Sequence, residues 1–77
     1  MTFNNLETVV LLRDVTEHGL RAGDLGAVVQ QYVPDGIEVE FVMASGESQA
    51  VITLREADVR HVRPTDLLAV RPLDKSA

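Results

Sequence analysis

A Pro-Asp-Gly turn at residues 34–36 separates two runs of β-forming residues, and it restricts the fold of this chain more than any other feature. Proline presets φ for the first corner of a turn, and Gly36 tolerates a positive φ that would strain a side chain. Beyond the turn, Ile37, Val39, Phe41 and Met43 alternate with Glu38, Glu40 and Val42. That period of two belongs to a half-buried strand. Ahead of the turn, Leu25 to Val33 supplies the partner strand, entered through a loop punctuated by Gly19, Gly23 and Gly26. The adjacent Val28 and Val29 interrupt its alternation, which predicts a bulge near Gly26. A hairpin of this kind is the centre of a small antiparallel barrel.

The remaining segments fit around it. Thr8 to Leu12 reads as a first strand, and residues 13–23 as a long loop with Val15 and Leu20 tucked against the barrel mouth. Ile37 to Met43 is the third strand, and Ala44-Ser45-Gly46-Glu47 turns the chain into a fourth, Ser48 to Leu54. Arg55 to Asp58 has the composition of one 3₁₀ turn, and Val59 to Arg63 forms a fifth strand stopped by Pro64. The fold class is therefore all-β: a small five-stranded SH3-like antiparallel barrel. The OB-fold usually needs a helix between strands three and four, and there is no room for one. The barrel core spans residues 7–64. A short C-terminal extension follows over 65–73, as either an extra edge strand or one helical turn capped by Thr65, and 74–77 form a frayed polar tail.

Seventy-seven residues make one domain with a modest core, and a chain this short needs an additional source of stability. There is no cysteine, which removes disulfides and thiolate metal sites and gives no sign of an oxidising compartment. The N-terminus lacks a basic region followed by an apolar run, and no apolar stretch approaches the ~20 residues of a membrane span. The expected location is cytoplasmic.

Formal net charge is −5, unevenly placed. Residues 1–54 carry eight carboxylates against Arg13 and Arg21, whereas Arg55, Arg60, Arg63, Arg71 and Lys75 crowd the C-terminal third. An acidic body repels phosphate backbones and suits a basic protein partner better than nucleic acid. Few aromatic residues are present for base stacking.

Catalytic signatures are absent. Gly19, Gly23 and Gly26 are followed by a strand and lack the Lys-Ser/Thr of a phosphate loop. His18 and His61 are 43 positions apart with no second nitrogen or sulfur ligand nearby, and although Asp14, Glu17 or Asp58 could join one of them in space, neither a metal nor a cofactor is expected. Ser45 and Ser48 belong to turn chemistry, with no histidine beside them to build a nucleophilic triad. Glu38 and Glu40 share one face of strand three, but on an open barrel wall nothing separates their pKa values into acid and base roles. No enzyme is implied. The candidate partner-binding residues are Glu17, His18 and Leu20 in the first loop, and Glu38 and Glu40 on the acidic wall.

One pattern predicts self-association. If Val9, Leu11, Val29, Ile37, Val39, Phe41, Ile52 and Leu54 fill the core, then Val10, Leu12, Val28, Val42 and Val51 point outward. That is more aliphatic surface than a lone small barrel should carry. Leu67, Leu68, Val70 and Leu73 could cover it, or a second chain could, with a symmetric dimer the commonest closed solution. The candidate oligomer interface is Val10, Leu12, Val42, Leu68 and Val70.

The segment from Val9 to Val29, with its Asp14-Val15-Thr16-Glu17-His18-Gly19-Leu20 loop, resembles the bacterial "domain of unknown function 4926" family. So do Glu38 to Val42, the Gly46 turn with Ala50 to Leu54, and the closing Leu67 to Leu73. Proline is common in that family where Thr16 stands. The resemblance implies a small stand-alone bacterial protein with no established activity, so it supplies no catalytic residues. In outline the family is similar to SH3-like ribosomal and elongation-factor modules, and to the small barrel subunit of photosynthetic NADH-dehydrogenase-like complexes. The expectation is a non-enzymatic protein-interaction module, accessory or antitoxin- and immunity-like, docking a partner on its acidic surface. The different-class alternative is a KOW-like RNA-binding barrel using Arg60, Arg63 and Arg71.

Overall fold

Alternation of apolar and polar side chains carries through into a single antiparallel sheet. The computed structural model describes residues 2–73. Its strands are β1 (Thr8–Leu11), β2 (Leu25–Tyr32), β3 (Gly36–Val42), β4 (Ser48–Arg55) and β5 (Val59–His61), with 3₁₀ turns at Thr16–His18 and Glu56–Asp58. The order across the sheet is β4-β3-β2-β1-β5, the arrangement of an SH3-like barrel. The second 3₁₀ turn, not a ladder, carries the chain from β4 to β5, so the barrel stays open there. All five strands differ from the sequence reading by one or two terminal residues; Leu12, Val33, Met43, Val62 and Arg63 fall outside them.

Inner positions fill as the periodicity requires. Val9 and Leu11 of β1, Ile37, Val39 and Phe41 of β3, and Ala50, Ile52 and Leu54 of β4 are buried. Phe3, Val15, Leu20 and Val59 close the ends of the same cluster. Burial of these side chains is the main favourable term for the fold.

β2 departs from expectation. Val28 pairs with Val39 and Gln30 with Glu38, so Val29 is the extra residue of a bulge three positions later than predicted. Val28 is therefore fully buried, and Val29 takes the half-buried position instead. Gly26 explains the placement. A Cβ there would lie 2.6 Å from Val39 Cγ1 and 2.9 Å from Phe41 Cε1. Gly26 thus faces inward, letting the β3 side chains pack against bare β2 backbone, and alternation resumes at Val28. The turn before β3 also differs: the Val33–Pro34 peptide is cis, and Gly36 is not among the residues with positive φ.

The C-terminal extension is neither strand nor helical turn. Residues 66–73 run irregularly beneath no ladder, as a strap across the outer face of the sheet. Backbone groups on a sheet face are already paired within the sheet, so a segment crossing it finds side chains rather than free N–H and C=O groups. The predicted tail at 74–77 lies outside the described residues.

Candidate functional site

The first loop folds back on itself. Val15 and Leu20 exchange backbone hydrogen bonds at 2.9 and 3.1 Å, and Gly19, at φ 69°, closes the 3₁₀ turn between them. Asp14 accepts from the Ala22 N–H at 2.9 Å, and Asp24 from the Arg21 N–H at 2.8 Å. The result is a plug with Val15 and Leu20 buried and Glu17 and His18 exposed at its tip. Gln49 at the start of β4 donates to the His18 carbonyl at 3.0 Å and fixes that tip against the sheet. Leu20 is 3% exposed, which corrects its place in a binding lip: it is part of the core.

Glu38 and Glu40 stand half-buried on β3, Glu38 between Gln30 and Thr53 and Glu40 between Ala27 and Val51. Neither has an ion-pair partner among the described residues, and the same holds for Glu17 and Glu47. The paired acids are elsewhere. Asp58 meets Arg13 at 3.2 Å, and Glu7 meets His61, whose ring packs on Phe3 at 4.5 Å between centroids. The structure brings together Glu38 and Glu40 on one wall and Glu17 and His18 on the loop tip, as two separate acidic spots.

The remaining two acids pin the strap. Arg60 donates to Asp66 through both terminal guanidinium nitrogens, Nη1 and Nη2, at 2.8 and 3.0 Å. Arg71 reaches Asp24 at 3.0 and 2.5 Å and also donates to the Gly19 carbonyl at 3.2 Å. Such two-point Arg–carboxylate contacts are geometrically specific and strong for their class. The Arg60 fork and the Arg63 N–H hold the Asp66 carboxyl down at about 2. Burial pushes the Asp24 carboxyl up, but hydrogen bonds from Arg71 and the Arg21 N–H outweigh it, so its pKa is lowered. Between the two pins the strap arches beside a groove of about 600 Å³, lined by Val10, Leu25, Val42 and Met43 from the sheet and the end of β3 and by Leu68 and Val70 from the strap.

Val10 is only 6% exposed under this arch, which corrects its assignment as an outward interface residue. The strap itself stays open: Leu67 and Val70 are more than 90% exposed, and Leu68 about two-thirds. Leu12 is half-exposed at the end of β1 and does not line the groove. Sequence reasoning missed both pins. Asp24 and Arg71 are 47 residues apart, and no local signal pairs them.

A model of one protein family matches residues 5–61, which takes in all five strands and the folded-back loop. The chain belongs to the family described as Domain of unknown function (DUF4926). The strap lies beyond the matched residues. No curated protein and no solved structure matches the chain. Among the described residues no three His, Asp or Glu side chains converge as metal ligands. Nor, among the described residues, is any helix long and apolar enough to cross a membrane.

Proposed function

We propose that this member of the family is a non-enzymatic protein-interaction module that docks a basic partner on the acidic wall of its sheet. One observation carries the reading. Arg13, Arg60 and Arg71 are spent on Asp58, Asp66 and Asp24 within the molecule, while Glu17, Glu38, Glu40 and Glu47 keep unneutralised charge among the described residues. Internal pairing therefore sorts the charge, leaving the negative surplus where a partner can reach it. Complementary charge of this kind steers encounter and confers salt-sensitive affinity. An accessory or immunity-like role is the concrete form this takes, with the module neutralising or positioning a basic protein.

The same pairing weakens the RNA-binding alternative, because two of its three arginines already hold carboxylates at hydrogen-bond distance. The test is affinity capture from native lysate with the wild-type chain and the double variant Glu38→Gln, Glu40→Gln. The wild type should retain basic proteins at low salt and release them as salt rises, and the variant should lose them. Capture that is indifferent to both substitutions and to salt would reject the acidic wall as the docking site.

A further inference from the structure

We infer that the strap and the neighbouring ends of β2 and β3 form a homodimer interface, so that the occupant of this face is a second copy of the same chain. The inference is independent of the acidic wall. Leu25, Val42, Leu68 and Val70 line one groove, and Leu67 stands on the same arch. Leu67 is 92% exposed, Val70 95%, Leu68 66%, Val42 52% and Leu25 38%. A packed C-terminal segment normally buries its aliphatic residues. This one is held instead by its two charged pins and turns its aliphatic side chains outward.

Area and charge both favour a second copy. Five aliphatic residues at those exposures amount to roughly 500 Å² of contiguous surface, the upper end of what a monomer carries. Two such faces brought together remove roughly 1,000 Å² from water, where specific interfaces begin. The charged groups lining the groove are Asp24, Arg60, Asp66 and Arg71, and the forks pair each with its opposite. This patch is thus locally neutral on a chain of net charge −5. A basic protein or a nucleic acid finds no complement there, whereas an identical face meets it without repulsion. Apposing the two faces about a two-fold axis closes the assembly, as an isologous contact must. The interface is accordingly Leu25, Val42, Leu67, Leu68 and Val70, with Val10 beneath it and Leu12 outside it.

Glu40 lies on the same strand as Val42, two positions away, and comes to the rim of each protomer's contact. Added salt screens the repulsion between the two rims. Self-association should therefore hold or tighten as salt rises, the reverse of docking on the acidic wall.

Sedimentation equilibrium of the full chain over a hundredfold concentration range, at low and at high salt, tests this directly. The expected result is a reversible dimer with micromolar dissociation constant that does not weaken at high salt. Leu67→Asp with Val70→Asp should raise that constant at least tenfold. Both side chains are almost wholly exposed within one chain, so a folded monomer should result, with its melting temperature lowered only by the stabilisation the dimer supplied at that concentration. A wild type that remains monomeric throughout the range overturns the inference. So does a dimer that survives both substitutions, which would place association at the open edge of β4.

Discussion

At the scale of single residues, the first loop separates side chains that stand next to one another in sequence. Glu17 and His18 touch solvent at the tip, while Leu20, two positions on, closes the core with Val15 and Phe3. Removing an exposed side chain usually costs under about 0.5 kcal/mol, whereas a buried leucine cut to alanine loses its transfer energy and leaves a cavity, about 2–5 kcal/mol. Glu17→Ala with His18→Ala should therefore leave the denaturation midpoint almost unmoved, and Leu20→Ala should lower it sharply. Urea titration followed by circular dichroism distinguishes them. Equal effects would mean that the tip is itself structural. Gly26 makes the related point that a small residue can be required by what lies opposite. Its position follows from Val39 and Phe41 on the neighbouring strand.

At the scale of elements, the strap is the least conventional part of the fold, because charge rather than apolar burial holds it. Asp66 is held at about 2 by the Arg60 fork and the Arg63 N–H, and Asp24 is also lowered. An unfolded aspartate titrates near 3.8. A carboxylate with a depressed folded pKa stabilises fully above its unfolded value and loses its contribution as pH falls through the folded one. The Arg60–Asp66 fork should thus be intact at neutral pH and release its end of the strap between about pH 4 and pH 2, and the Asp24 fork should also weaken toward acid pH. Carbon-13 titration of the Asp66 carboxyl should show a midpoint near 2, and the Val10 methyl resonances beneath the strap should shift with it. A midpoint at the ordinary aspartate value would mean that the fork does not persist in solution. The pins are partly exposed, so their worth lies in placing the strap more than in global stability.

At the scale of the whole molecule, internal ion pairing produces two surfaces of different character: an acidic wall on β3 and a neutral aliphatic face along the strap. If the wall docks a basic partner and the strap a second copy, as proposed, their salt dependences should run in opposite directions, which makes them separable in one set of measurements. The same sorting argues against polyanion binding. Arg60 and Arg71 are neutralised, and neutralising phosphates is what drives non-specific attraction to nucleic acid. No retention of mixed-sequence RNA is expected in gel-shift titration at physiological salt, where non-specific binders show dissociation constants around 10⁻⁴–10⁻⁶ M. Micromolar binding abolished by Arg60→Ala with Arg63→Ala would move the RNA reading to first place.

Local patterning along the chain was enough to specify several elements. Alternation in Ile37 to Val42 and in Ala50 to Leu54 set the buried face of β3 and β4, since a strand's side chains can only alternate. The composition of Arg55 to Asp58 indicated the 3₁₀ turn, and the Asp14 to Leu20 loop indicated the family. Only the tertiary structure decided which of Val28 and Val29 entered the core, because that turned on a bulge placed by side chains across the sheet. It also decided the course of residues 66–73. Propensity weighed a strand against a helical turn there, but the segment answers to Asp24 and Arg60, partners brought near by folding and not by sequence spacing. The acids that remain unpaired were fixed at the same step, because a charge count over the chain does not say which carboxylate an arginine will reach.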